Sequence, residues 1–268
     1  MGNNLLHEVP KLPRQEKLIS LNLKRNRINR MEDGAFKDLI NLKELYLQYN
    51  NLTGNAITQD VFIGLYNSSA PEPMGIEVLD LSYNYIKSID SHAFTHLRSL
   101  KRLFLAHNPL KDISLNTGLA INQLQNLQEL DLSQTGLTRI PDHFLTDLTK
   151  LQVLTLAGNN FQTVPGEVNF AHNLRHLNLN ANPIESLTAG DFQEGLSTLR
   201  ELDISGMPVL RNVGARTFSS LRSLEVLRMS SNPFLSVIDS RAFYIIEGDD
   251  ITLREVRPFS VINEMQIL

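Results

Sequence analysis

No cysteine occurs among the 268 residues, which removes disulfides, thiolate zinc sites and cysteine nucleophiles together. Taken alone, that absence favours a reducing compartment. Tryptophan is missing too. No apolar run approaches the ~20 residues a membrane-spanning helix needs, so no transmembrane segment is expected. The opening residues Met1-Gly2-Asn3-Asn4-Leu5-Leu6 lack the basic start and apolar stretch of a secretory signal. A formal net charge of −4 gives no cationic excess for a phosphate backbone, so nucleic acid is not an expected partner. The sequence contains no G-x-S-x-G, no phosphate-cradling glycine loop and no dinucleotide fingerprint. His92 and His96 have the spacing of a metal pair, but no glutamate follows His92. The expectation is a protein that is not an enzyme, with no cofactor and no metal. The hydrophobic share of 42% nevertheless supports a real core.

What is present is a repeat. The pattern L-x-x-L-x-L-x-x-N-x-L begins at Leu18, Leu42, Ile76, Leu100, Leu127, Leu151, Leu174, Leu199 and Leu224. Most starts lie 23 to 27 residues apart, and the second unit spans 34. Its asparagines are Asn26, Asn50, Asn84, Asn108, Asn159, Asn182 and Asn232, with Thr135 and Met207 in the two remaining places. In L-x-L the leucines face one side of a short strand and the intervening residue faces the other. One such unit cannot bury its apolar face, but stacked copies can. The asparagine amide is expected to satisfy backbone groups where the chain leaves the strand. Thr135 retains part of that capacity; Met207 does not, which predicts a local weakness in the ladder.

These repeats resemble the leucine-rich-repeat family, in particular its typical type of about 24 residues. The resemblance implies an α/β solenoid, a horseshoe with a parallel concave β-sheet and a mostly irregular or short-helical convex side. It covers residues 1–268 as a single solenoid: a partial repeat over 1–17, nine repeats from 18 to about 247, a degraded tenth strand over 248–256 and a tail over 257–268. Phenylalanine recurs in the return half of each unit, at Phe36, Phe62, Phe94, Phe144, Phe170, Phe192, Phe218 and Phe243. Eight such positions predict a packed column, which is core and not a ligand box.

The phenylalanine column and forms such as Leu137-Thr138-Arg139-Ile140-Pro141 are most similar to extracellular members: chaoptin-like and Slit-like adhesion proteins and Toll-like receptor ectodomains. Those relatives close their ends with cysteine-rich caps, which a fragment beginning and ending within repeats lacks. Two sequons, Asn51-Leu52-Thr53 and Asn67-Ser68-Ser69, mark Asn51 and Asn67 as expected glycosylation sites. The resemblance therefore implies a recognition scaffold, part of a receptor or adhesion ectodomain that binds a protein or glycan partner. The alternative is a cytoplasmic scaffold regulating an intracellular enzyme.

Residues between the leucines line the binding face of a repeat solenoid. The first four strands gather Tyr46, Tyr49, Tyr83, Phe104 and His107, flanked by Lys24, Arg25 and Arg102. Aromatic residues with arginine are common anchors of protein interfaces, so these eight are the expected partner-binding residues. From the sixth strand onward the face becomes small and polar.

Overall fold

The computed structural model describes residues 1–67, 70–245, 254–255 and 260–262. The chain forms two compact units, Met1–Thr135 and Gly136–Leu268. Each is a solenoid of short parallel strands.

In the first unit the strands are β1 (Ser20–Asn22), β2 (Glu44–Tyr46), β3 (Val78–Asp80), β4 (Arg102–Phe104) and β5 (Glu129–Asp131). They pair parallel and in register, so Leu21, Leu45, Leu79, Leu103 and Leu130 form one line of partners. That line is buried, as is the line two residues on, Leu23, Leu47, Leu81, Leu105 and Leu132. Burying a leucine fully is worth about 1.5–3 kcal/mol, and only the stack makes that burial available. The partial repeat joins this unit: Glu8–Val9 pairs parallel with Arg30–Met31, and Leu6 N–H donates to Asn26 Oδ1 at 3.1 Å. One α-helix, Leu115–Asn122, fills a return segment, and the Ser114 side chain caps its N-terminus by accepting from Thr117 N–H.

The second unit repeats the design with β6 (Val153–Thr155), β7 (His176–Asn178), β8 (Glu201–Asp203), β9 (Val226–Arg228) and β10 (Ser260–Ile262). Here Leu154, Leu177, Leu202 and Leu227 align, followed by Val261. The expected tenth strand over 248–256 lies mostly outside the described residues. Its described part, Arg254–Glu255, pairs antiparallel with Tyr244–Ile245, and the strand beside β9 is Ser260–Ile262 instead. The step from Leu227 to Val261 equals the step from Leu45 to Leu79 in the long second repeat. Both long steps hold an antiparallel pair, the earlier being Tyr66–Asn67 with Ala70–Pro71. The extra residues are thus taken up as a hairpin, and the parallel register resumes afterwards.

The return side is mostly turns and short helices, as expected, with a short ladder added in the second unit. Ser186–Leu187, Asn212–Val213 and Val237–Ile238 form a second parallel ladder in the second unit. Asn182, Met207 and Asn232 are evenly spaced, so successive return segments come into register.

The asparagine ladder has a common geometry. Asn108 Oδ1 accepts from Ile86 N–H at 3.0 Å, while its amide donates to Leu81 O and Leu105 O, each at 2.9 Å. Asn50, Asn84 and Asn182 make the equivalent bonds within and between repeats. Asn159 accepts from Leu137 N–H and donates to Leu156 O, and Asn26 donates to Leu23 O. Thr135 makes the within-repeat bond, from its hydroxyl to Leu132 O at 2.7 Å. Met207 is fully buried and serves the core instead. Asn232 reaches back to that place, accepting from Met207 N–H at 2.8 Å and donating to Ile204 O at 3.1 Å. The ladder there is thinner by one amide but is not broken.

The phenylalanine column needs one correction. Phe36, Phe62, Phe94, Phe144, Phe192 and Phe218 are buried, and Phe36–Phe62, Phe192–Phe218 and Phe218–Phe243 stack. Phe170 is instead 45% exposed. The turn Gly166–Phe170 follows Pro165 and brings fully buried Val168 inward. Val168 stands three residues after Pro165, as Phe144 stands after Pro141, so valine holds this repeat's place in the column.

Candidate functional site

Because the strands are in register, side chains on the sheet face opposite the leucines fall into rows. The central row of the first unit is Asn22, Tyr46, Asp80, Phe104 and Asp131. Tyr46 and Phe104 are half-buried on either side of Asp80. The Tyr46 hydroxyl donates to Glu44 Oε2 at 3.2 Å. Burial, followed by the charge of Glu44, raises the Tyr46 pKa and keeps that proton in place. Arg102 lies on the same face as Phe104, opposite Glu129 in register. Burial raises the Glu129 pKa; the charge of Arg102 opposes that shift, while Asp131 adds to it.

The acidic members of this row have a local function. Asp80 Oδ1 accepts from Ser82 N–H, and Asp131 Oδ1 accepts from Ser133 N–H, both at 2.9 Å. Asn22, Asn178 and Asp203 make the same bond to the backbone two residues on. A short side-chain acceptor at this position caps the turn out of the strand.

A second cluster runs along the edge where the chain leaves the strands. Tyr49 and Tyr83 stack with ring centroids 4.0 Å apart, and Tyr83 and His107 repeat that 4.0 Å spacing. The Arg25 guanidinium lies over the Tyr49 ring, 5.2 Å from its centroid. All four residues have left-handed backbone, with φ of 54°, 59°, 54° and 53° for Arg25, Tyr49, Tyr83 and His107. A hydrogen bond with Tyr49 raises the Tyr83 pKa.

The eight expected partner-binding residues therefore separate into two groups. Tyr46, Phe104 and Arg102 share the sheet face. Arg25, Tyr49, Tyr83 and His107 form the edge stack, and Lys24 sits between the two, its N–H bonded to Asn22 Oδ1 at 3.1 Å. Sequence reasoning gathered these residues without seeing the stack. The signal was available: each stacked residue immediately precedes a ladder asparagine in four consecutive repeats. It also passed over Tyr85, which is 60% exposed one residue beyond Asn84.

Asn51 and Thr53 are exposed. Asn67 ends the strand Tyr66–Asn67, and the serines of its sequon lie outside the described residues. In the second unit the central row is Thr155, Asn178, Asp203 and Arg228. Arg228 pairs with Glu201, and His176 Nδ1 lies 3.2 Å from Glu201 Oε2. Among the described residues no group of three or more His, Cys, Asp or Glu side chains could hold a metal ion. None of their helices is long and apolar enough to cross a membrane.

In-register leucine strands, an asparagine ladder and an outer face of variable side chains define a leucine-rich-repeat protein. Family comparison agrees: "Leucine rich repeat" matches residues 16–68, 74–128 and 125–184, and the chain belongs to that family. Its relatives include podocan of Mus musculus, 33% identical over 223 residues, covering 77% of this chain and 35% of podocan. Keratocan of Bos taurus is 32% identical over 211 residues, covering 69% of this chain and 58% of keratocan. Tsukushi of Gallus gallus is 33% identical over 162 residues, covering 52% of this chain and 43% of tsukushi. The chain thus spans between about a third and three fifths of the length of these relatives. They are small leucine-rich proteoglycans, extracellular members of the family, in keeping with the extracellular placement that the repeat type implies.

Proposed function

We propose that this chain is a non-enzymatic recognition scaffold that holds a protein or glycan partner on the sheet face of its first unit, anchored by Tyr46 and Phe104. One observation carries the reading: the parallel register sets two half-buried aromatic rings on one face with Asp80 between them. Arg102 and Glu129 add opposite charges beside Phe104. Aromatic anchors surrounded by charge suit a surface where a few residues carry most of the binding energy. Neither ring is needed to fill the leucine core, so their removal leaves the scaffold in place.

The test compares two double variants in capture of partners from an extracellular-matrix extract by the immobilised chain. Tyr46→Ala with Phe104→Ala is expected to lower the captured amount about 100-fold, as loss of two anchor side chains does. Thr155→Ala with Asn178→Ala, in the equivalent row of the second unit, is expected to leave capture unchanged. Full retention by the first variant, with its circular dichroism intact, sinks the proposal.

A further inference from the structure

The exit edge of the first unit holds a second surface that partner binding at Tyr46 and Phe104 does not use. Asn50 and Asn51 are neighbours with opposite fates. The Asn50 side chain is buried, and its amide is committed to Leu23 O and Leu47 O. Asn51 is tied only through its backbone, its N–H donating to Ile28 O at 2.8 Å. Among the described residues its side-chain amide has no hydrogen-bond partner, and it points to solvent. Leu52 turns inward and is fully buried, which returns Thr53 to the same exposed side as Asn51. The sequon is therefore presented with both of its required side chains outward.

What surrounds Asn51 is unusual for a solvated turn. Arg27, Asn51 and Tyr85 each stand one residue beyond a ladder asparagine in consecutive repeats. The backbone holds these repeats together there, with Tyr85 N–H donating to Leu52 O at 2.9 Å. Tyr85 is 60% exposed and takes no part in the stack formed by its neighbours. Tyr49, two residues before Asn51, belongs to the Arg25–Tyr49–Tyr83–His107 stack. Asn51 and the exposed Tyr85 thus hold the same position in adjacent repeats, one strand spacing of about 4.8 Å apart. Pyranose rings present an apolar C–H face together with hydroxyl edges. Phenol rings offer the matching combination of apolar surface and polar tip.

We propose that Asn51 carries an N-linked glycan whose first saccharide seats on the exposed ring of Tyr85, since the faces of Tyr49 and Tyr83 are taken by Arg25, by each other and by His107. The sheet face with Tyr46 and Phe104 stays open to the partner. The assignment stands apart from the partner site, because Asn51 and Tyr85 lie in a different row from Tyr46 and Phe104.

The experiment uses the whole chain secreted from mammalian cells, with glycopeptide mapping that separates Asn51 from Asn67. Glycan at Asn51 is expected, and it disappears in both Asn51→Gln and Thr53→Ala. Both variants are expected to fold, because the ladder bonds belong to Asn50. Tetranitromethane nitration then reads the seat. Tyr85 is expected to react several-fold faster in Asn51→Gln than in the glycosylated chain, while Tyr244 reacts equally in both. A bare Asn51 in secreted protein overturns the proposal. A glycan at Asn51 with Tyr85 equally reactive in both forms overturns the seat.

Discussion

The two units share one backbone plan and differ in what they mount on it. The positions immediately before the ladder residue show this best, since the backbone there turns left-handed in both. The second unit places Gly158, Ala181, Gly206 and Ser231 at those turns, with φ between 56° and 63°. The first places Arg25, Tyr49, Tyr83, His107 and Gln134 there, with φ between 53° and 59°. A side chain in this region costs roughly 1–2 kcal/mol per residue, a penalty glycine escapes. Ring stacking returns about 0.5–1.5 kcal/mol per aromatic pair, which offsets part of it. Folding alone is served at least as well by the small residues of the second unit. The large side chains of the first unit are therefore best explained by what they present to solvent, which is the condition for inferring function from strain.

If the units differ only in their outer rows, their ladders should be interchangeable in strength. Asn108→Ala in the first unit and Asn182→Ala in the second each strand a buried N–H and two carbonyl bonds. Each is expected to cost about 3 kcal/mol, since an unsatisfied buried group costs roughly 1–3 kcal/mol. Urea denaturation measures both. A loss below about 1 kcal/mol in one unit but not the other would show that the scaffolds themselves differ.

The left-handed turns give a smaller and more telling contrast. Gly206→Ala places a side chain at φ +63°, and its Cβ meets Asn180 Oδ1 at an ordinary 3.4 Å. The cost is then mostly backbone strain, about 1–2 kcal/mol. Tyr83→Gly relieves the same strain but gives up two stacking contacts and adds chain entropy to the unfolded state. The losses outweigh the relief only modestly, so urea denaturation should show a destabilisation of about 1 kcal/mol. A destabilisation well beyond that would mean that the stack serves the fold and not what the unit presents to solvent.

Much of this architecture was legible in the residues, because a repeat announces its own period. Leu21, Leu45 and Leu79 identify strand, register and buried face at once, and Asn50 or Asn84 identify the turn. What stayed hidden depends on local count, not on type. Phe170 carries the residue type of the column but stands two positions too late, and Val168 fills the place. The last strand was expected over 248–256, where apolar residues recur at the usual spacing, but the ten-residue excess that displaces it to Ser260–Ile262 has no hydrophobic signature. In the site, Tyr46 and Phe104 were readable from alternation. The stack was not, because it arises from side chains leaving left-handed turns, and alternation describes only strands.

The smallest effect concerns charge on the sheet face, and its direction depends on pH. Burial raises the folded pKa of Asp80, although the backbone N–H of Ser82 opposes the shift. A raised folded pKa means that the stabilising contribution is complete below the unfolded value and is lost as pH rises through the folded one. Ionised Asp80 therefore works against folding at neutral pH. Asp80→Asn keeps an oxygen for the Ser82 N–H, as Asn22 and Asn178 do at the equivalent places. The variant should be slightly more stable than the native chain at about pH 7 and equal to it at about pH 3, where both side chains are neutral. Glu77 supplies the opposite sign, because hydrogen bonds from Lys101 and then Lys43 lower its pKa. Its contribution is present above the ordinary carboxylate pKa and fades as pH falls, so Glu77→Gln should be slightly less stable at neutral pH and unchanged in acid. Urea midpoints of both variants across this range check the signs. If Asp80→Asn proves less stable at neutral pH, the carboxylate serves the fold. If it proves more stable, the turn is satisfied by an amide, and the charge beside Tyr46 and Phe104 is kept at the expense of stability, as a contact reserved for a partner would be.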